Sequence, residues 1–574
     1  MPFLVFKNLF SVFDKNHKVY ITFIFFIFFL LMFLELFSIA LFIPLIAFVL
    51  ENNIEENKIF VFFKDNLNFD LYFLVGDLTN FIIFFFIIFL TKSLLVIYCN
   101  WHKIGFTYKI RKYLTHNIYK KYINIPYENF IKKNSATYLK NINYEINQVS
   151  IGLIQTLEFF SELIVIFGIG IFLMIYDFKV SILVLVLSTI FIFSISVISK
   201  RKMFNLGERV RVSEQLRIKN YIESFNLIKE IKIYNKQNFF INRDLDFTSN
   251  FLQTDFLFRF IKSIPTVLVE LLLIAIMLIL ILINIETKST SHILELLGVF
   301  AASGFRLMPS SKRMVSSIQS LRYALPSINN IIKEFPSMQI LYQKDNLKTK
   351  IDSFKKEINI LDVSFKYKNQ ENYVFKNLNL KIKKGTIVGI KGKTGSGKTT
   401  IINLILKLIY PNTGSILIDE HKFENINTKS IHNLIGYVPQ NIYLMDASIR
   451  DNITFFSDEI SMKSIEDSID KANLRNFINQ SEDGLNTKIG EKNSKISGGQ
   501  AQRIGIARAL AKNPEILILD EATNALDSST ENEILKGISY LKGELTIIMI
   551  SHDQNSLKIC DEIIDLDGKI NENV

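Results

Sequence analysis

Between Gly392 and Thr400 the chain reads Gly-Lys-Thr-Gly-Ser-Gly-Lys-Thr-Thr, a complete G-x-x-x-x-G-K-[ST] phosphate loop. Gly392, Gly395 and Gly397, with Thr394 and Ser396 between them, let backbone N–H groups close around phosphate oxygens. A helix opening at Lys398 adds the favourable dipole of its N-terminus. Lys398 is spaced to reach the β and γ phosphates, the Thr399 hydroxyl to ligate Mg2+, and Thr400 completes the motif. Further on, Glu515-Ile516-Leu517-Ile518-Leu519-Asp520-Glu521 is an apolar strand ending on two carboxylates. That pair suits a division of labour: Asp520 is held ionised by the metal, and Glu521 stays free as general base for an attacking water. Together these residues point to hydrolysis of a nucleoside triphosphate.

A second set of chemically active residues lies where few are expected. Glu35, Glu158, Glu162 and Glu270 fall inside apolar runs, as do Arg306 and Arg313, with Lys312 beside them. Ionisable groups are costly in lipid and face a cavity or one another. Arg306 and Arg313 are seven apart, hence on one helix face, and Arg306 lies roughly 20 Å from the outer end of its run, within a ~30 Å core. One reading is a cavity that draws in an anionic headgroup, since arginine binds phosphate bidentately. The other is a structural Arg–Glu pair between helices, with Arg313 at the cytoplasmic interface. Lys92 and Lys262 are the remaining basic residues of note in the runs.

The elements that must hold these groups divide the chain in two. Over 574 residues, 49% are apolar and the mean hydropathy is +0.25, which excludes a purely soluble enzyme, a secreted mini-domain and a disordered tail. Cys99 and Cys560 are too far apart in sequence to suggest a disulfide framework or a cysteine zinc site. Apolar runs of membrane-spanning length occur at residues 20–50, 81–99, 151–176, 180–199, 264–285 and 292–317, the last being the least apolar. Residues 1–18 alternate Phe, Leu and Val with Lys and Asp, as an interfacial amphipathic helix does, and the apolar run after them is too long for a cleavable signal and is followed by no small-residue cleavage site. The expected domains are therefore 1–18, a membrane domain over 19–325, a linker over 326–356 and a soluble domain over 357–574.

Loop charge sets the expected orientation. Residues 102–149 hold nine Lys or Arg and two acidic residues, whereas 51–80 hold six acidic residues and two lysines. The positive-inside rule puts the first segment in the cytoplasm and the second outside, so both termini are cytoplasmic. Topology thus absorbs much of the +11 formal charge, and nucleic acid is not the expected partner.

Ile496-Ser497-Gly498-Gly499-Gln500 precedes the Asp520-Glu521 strand and looks like the LSGGQ signature of the ATP-binding cassette (ABC) superfamily, with Ile for Leu. The whole soluble part resembles that family, and the order of six spans then cassette resembles its exporter-type (type IV) half-transporters. The resemblance implies an α-helical membrane domain of six transmembrane helices fused to an α/β P-loop nucleotide-binding domain. It also implies ATP and Mg2+ as cofactors. Tyr367 looks like the aromatic that stacks on adenine, and Gln440 like the glutamine that senses Mg2+ and water and faces the membrane domain. Asp527 is similar to the D-loop aspartate, and His552 to the switch histidine at the γ-phosphate. Gly490-Glu491 resembles the exporter X-loop. Asp553 stands where the family usually has Arg, and Lys492-Asn493 also departs from the pattern; neither removes a catalytic group.

In that family ATP is sandwiched between one subunit's phosphate loop and the other's signature. One of each per chain implies pairing, and two intact sites favour a homodimer over a heterodimer. Coupling helices are implied in both long cytoplasmic loops, with residues 220–236 suited to one. Arg306-Leu307-Met308-Pro309-Ser310, with Arg313, resembles the last membrane helix of bacterial lipid-linked oligosaccharide flippases, which also carry a short external helix where this chain has 57–69. The expected substrate is a polyprenyl-pyrophosphate glycan in the inner membrane, with Arg306, Arg313, Glu35 and Glu270 as its site. The alternatives are a multidrug, lipid or peptide exporter, and then an ATP-gated channel or a non-transport cassette ATPase.

Overall fold

The computed structural model describes residues 2–11, 13–42, 78–284, 290–335, 349–367, 370–490, 496–522 and 528–567. The expected external helix at 57–69, the loop at 286–291, Glu491 to Asn493 and Asp527 all lie wholly or mostly outside them. The chain forms two compact units, residues 1–124 with 133–338 and residues 125–132 with 339–574.

The first unit is helical. Its principal helices are α1 (Pro2–Phe10), α2 (Lys15–Ala40), α3 (Leu78–Asn124), α4 (Ile146–Tyr176), α5 (Phe178–Asn226), α6 (Gln237–Asn284) and α7 (Thr290–Glu334). Among the described residues, five helical segments are long and apolar enough to cross a membrane. The sixth expected span, 292–317, lies in α7, where Arg306, Lys312 and Arg313 dilute the hydropathy. Helices α3, α5, α6 and α7 each run for 45 to 49 residues. At 1.5 Å per residue that is roughly 70 Å, more than twice a bilayer core, so each continues well past its apolar part.

Local chemistry sets the ends of these helices. The turn expected over 177–179 contracts to one residue, because the Asp177 carboxylate accepts from the Val180 N–H at 3.1 Å and caps α5. Helix α1 buries Val5 and Leu9, and Phe3 and Phe6 pack edge-on against Phe160, the one-sided burial an amphipathic pattern demands. Within residues 220–236, α5 breaks at Leu227 and a short helix, Ile228–Ile233, buries Ile231. A second short helix, Tyr127–Phe130, belongs to the cassette's unit although it is encoded between α3 and α4.

One glycine fixes the closest approach of two long helices. A Cβ on Gly207 of α5 would sit 2.1 Å from the Tyr323 carbonyl oxygen of α7, a backbone atom that cannot turn aside. Gly207→Ala is therefore expected to destabilise the bundle by about 1–3 kcal/mol. It should read as a lower melting temperature in detergent; an unchanged melt would show that these helices separate without cost.

The second unit carries two sheets. An antiparallel sheet has the order β2-β1-β4-β5, with β1 at Glu357–Phe365, β2 at Phe375–Lys383, β4 at Thr413–Ile418 and β5 at His421–Lys422. A parallel sheet has the order β6-β7-β8-β3-β9, with β3 at Ile387–Lys391, β6 at Ile435–Val438, β7 at Ile516–Asp520, β8 at Thr546–Ile550 and β9 at Glu562–Asp565. Every residue of β7 and β8 is buried, as expected of parallel strands covered on both faces. The register aligns Asp520 with Ile550 and Ile550 with Ile390, so three strands finish at the same edge. The loops leaving that edge carry the phosphate loop, Glu521 and His552. Ligands in open α/β sheets gather at such strand ends.

Candidate functional site

The phosphate loop links β3 to α8 (Lys398–Ile405). Gly397, in the N-cap position, has φ +91, and a Cβ there would meet Phe375 and Val374 at 2.4 to 2.6 Å, so both its conformation and its space require glycine. The Lys398 ammonium is buried and donates to the Gly392 and Lys393 carbonyls at 2.7 and 3.2 Å. It also lies 2.9 Å from His552 Nε2; an ammonium can only donate, so the ring nitrogen accepts. Ser396 Oγ is buried without a hydrogen-bond partner among the described residues, a polar atom at the heart of the loop. Thr399 is exposed, and Thr400 is buried with its hydroxyl 3.2 Å from the Tyr367 hydroxyl. Tyr367 thus leans on the first turn of the loop's helix, its ring edge-on to Phe365.

The carboxylates expected to do chemistry converge here. Gln440 Nε2 donates to Glu521 Oε2 at 2.7 Å, and His552 Nε2 lies 3.4 Å from Glu521 Oε1. Glu521 has φ +52, a left-handed backbone that a residue with a side chain adopts at a cost of about 1–3 kcal/mol. Its N–H bonds to the Ile550 carbonyl at 3.1 Å, which ties the turn to the end of β8. Burial pushes the Asp520 carboxyl above its usual range, partly offset by a hydrogen bond from the Tyr437 hydroxyl at 3.4 Å and by Lys398. Glu521 next door adds to the rise. A buried carboxylate of this kind favours a cation beside it. Thr399, Asp520 and Gln440 offer oxygen donors only, the chemistry of a hard ion such as Mg2+.

The signature residues stand on a separate helix, α9 (Gly498–Leu510). The Ser497 hydroxyl accepts from the Gln500 N–H at 3.2 Å, and the Gln500 side chain accepts from the Ser497 N–H at 2.8 Å. This capping box leaves Ser497 and Gly498 exposed, with nothing within 4 Å of where a Gly498 Cβ would be. Gly499 follows in the same first turn. The result is an open helix N-terminus suited to phosphate. Asp553 caps the short helix Gln554–Leu557 by accepting from the Asn555 N–H.

Three contacts at the site were not foreseen from the sequence. Tyr437 as a donor to Asp520 was within reach, since it lies three residues before Gln440 on the adjacent strand β6. The Asp567 carboxylate receives the Lys393 N–H at 3.0 and 3.2 Å, and Asp565 pairs with Lys391 at 3.1 Å. Only the fold brings β9 beside β3, and no spacing rule signals it.

In the membrane unit five charged side chains form a linked chain, with a separate pair beside it. Glu35 on α2 pairs with Arg306 on α7 at 2.7 Å and with Lys92 on α3 at 3.4 Å. Glu162 on α4 lies 2.5 Å from Arg313 and 3.7 Å from Arg306. Glu270 on α6, more than half exposed, lies 3.8 Å from Lys312. Arg306 also donates to Ser310 at 2.8 Å. All four expected substrate residues are therefore ion-paired, and Lys92 and Glu162 join them.

Residues 375–524 match the family model described as ABC transporter. The chain is 30% identical over 486 residues, 81% of its length, to the ATP-dependent lipid A-core flippase of Wigglesworthia glossinidia brevipalpis, and spans 80% of that protein. It is 41% identical over 212 residues to the alpha-hemolysin translocation ATP-binding protein of Escherichia coli O157:H7, covering 37% of this chain and 30% of that one. In structure it is similar to a bacterial Atm1-family ABC exporter with ATP bound, with TM-score 0.79 and 18% identity over 97% of this chain and 95% of that one. The chain is a multi-pass membrane protein of the ABC transporter family, an exporter with ATP hydrolysis coupled to transport.

Proposed function

We propose that this chain is a homodimeric flippase that moves a lipid-linked, pyrophosphate-bearing oligosaccharide across the inner membrane, with the ATPase domain and both termini cytoplasmic. Gly392 to Thr400 hold the triphosphate, with Lys398 at the β and γ phosphates and Tyr367 beside adenine. Thr399, Asp520 and Gln440 take Mg2+, which supplies charge neutralisation at the phosphates. Glu521 orients and deprotonates the water, steadied by Gln440, and His552 faces the γ-phosphate. Ser497, Gly498, Gly499 and Gln500 of one copy complete the site of the other, with Asp527 at the seam. ATP binding closes the cassettes and hydrolysis reopens them, shifting a bistable membrane domain.

The observation that carries the substrate class is the cluster of Lys92, Arg306 and the more accessible Arg313 against the buried Glu35 and Glu162, three cations to two carboxylates. An unbalanced cation in a low-dielectric core favours an anionic ligand. The names of the lipid A-core flippases support an amphiphile of that kind, and a lipid exporter of broader range is the second reading. In nanodiscs, a farnesyl-pyrophosphate-linked disaccharide should stimulate ATP hydrolysis. Stimulation by hydrophobic drugs with none by this probe would contradict the substrate. Arg306→Ala should weaken the stimulation about tenfold, as expected for losing one charge-assisted contact. Its affinity for a fluorescent ATP analogue should be unchanged; a parallel loss of ATP affinity would assign Arg306 to the bundle's structure instead.

A further inference from the structure

Arg306 and Arg313, one on each of two successive pairs of turns of α7, bracket a single carboxylate. Glu162 reaches Arg313 Nε with Oε1 at 2.5 Å and Arg306 with Oε2 at 3.7 Å. The Oε2 atom is buried and has no hydrogen-bond partner among the described residues, so there one half of this carboxylate is held by charge alone. Glu162 lies fifteen residues before Asp177 at the end of α4, roughly 22 Å along the helix from that end. Arg306 has a second carboxylate in Glu35, itself shared with Lys92. Arg313 has Glu162 as its one ion-pair partner among the described residues, and at 39% exposure it is the most accessible of Glu35, Lys92, Glu162, Arg306 and Arg313.

An anion arriving from the accessible end therefore meets Arg313 already occupied. A phosphate oxygen within reach of both arginines would stand beside the Glu162 carboxylate, and like charges at that distance in a low-dielectric site repel strongly. The anion must expel Glu162 from the arginines, and its charge has to repay the pairing it breaks. A headgroup with one negative charge exchanges one carboxylate-like contact for another and gains little. A headgroup with two or more charges replaces Glu162 and also uses the surplus cation of the set.

We propose that Glu162 is a tethered competitor for the anionic headgroup, one that screens out singly charged membrane phospholipids and admits multiply charged ones. The proposal rests on the reading of Arg306 and Arg313 as the headgroup site, and it adds a specificity-determining residue to that site. It also gives a reason for a carboxylate beside cationic groups at this depth: ordinary anionic phospholipid surrounds the protein in large excess.

The test uses the full-length protein in phosphatidylcholine nanodiscs, titrated separately with farnesyl pyrophosphate and with a short-chain phosphatidylglycerol, with binding read by native mass spectrometry. The wild type should favour farnesyl pyrophosphate. In Glu162→Gln, affinity for phosphatidylglycerol should rise about tenfold, so that the ratio between the two lipids falls by a similar factor. Glu162→Asp keeps the charge but draws it back by one methylene, and its ratio should fall about threefold, part of the way. An unchanged ratio in folded Glu162→Gln overturns the proposal, and if that variant does not fold, an unchanged ratio in Glu162→Asp does. A wild type that binds neither lipid, with phosphatidylglycerol binding gained in Glu162→Gln, would refute the pyrophosphate reading and uphold the competitor.

Discussion

Glu521→Gln is expected to bind ATP as tightly as the wild type and to hydrolyse it at least ~10²-fold more slowly, the usual contribution of a positioned general base. The substitution preserves shape and removes only the charge that accepts a proton from water. Gln440, donating at 2.7 Å, already holds this carboxylate in place, and the Glu521 N–H anchors the turn to β8. The backbone strain at φ +52 marks a turn kept in one conformation by its surroundings, as functional turns often are. Phosphate release at saturating ATP, with binding measured by a fluorescent analogue, checks both halves. A normal turnover rate would show that another group is the base.

Lys398→Ala should have the second large effect, through binding. The ammonium is buried and directed at the Gly392 and Lys393 carbonyls and at His552, so it waits inside the loop rather than in solvent. When a triphosphate enters, those neutral partners give way to phosphate oxygens, and hydrogen bonds to charged groups are worth about 1.5–3 kcal/mol each. Two of them correspond to a loss of affinity of about 10²-fold or more. Titration with the same fluorescent analogue reads it directly. Affinity within a factor of about three of wild type would mean that the backbone amides alone hold the triphosphate.

The nucleotide site was legible because its parts are contiguous. A phosphate loop is nine adjacent residues, and an all-buried strand such as Ile516–Asp520 announces itself as an unbroken apolar run ending in charge. The same holds for the long apolar helices, whose length follows from bilayer thickness. Partners far apart in sequence were not legible. Nothing in the spacing of Glu35, Lys92, Glu162, Arg306 and Arg313 says which carboxylate meets which cation, since that depends on the rotation of four helices about their axes. The pairing of Asp567 with the Lys393 N–H likewise depends on β9 lying next to β3. The turn at Asp177 was placed correctly and drawn too long, because side-chain capping shortens a loop without changing its composition.

The central claim is that ATP hydrolysis drives a pyrophosphate-linked lipid from one leaflet to the other. The most direct measurement reconstitutes the protein in liposomes containing a fluorescent pyrophosphate-linked oligosaccharide, adds ATP and Mg2+ to the cassette side, and follows protection of the glycan from an external quencher. The account predicts protection that grows with ATP, is absent with Glu521→Gln and is strongly reduced with Arg306→Ala. Vigorous hydrolysis with no gain in protection, in vesicles where hydrophobic drugs are transported, would contradict it.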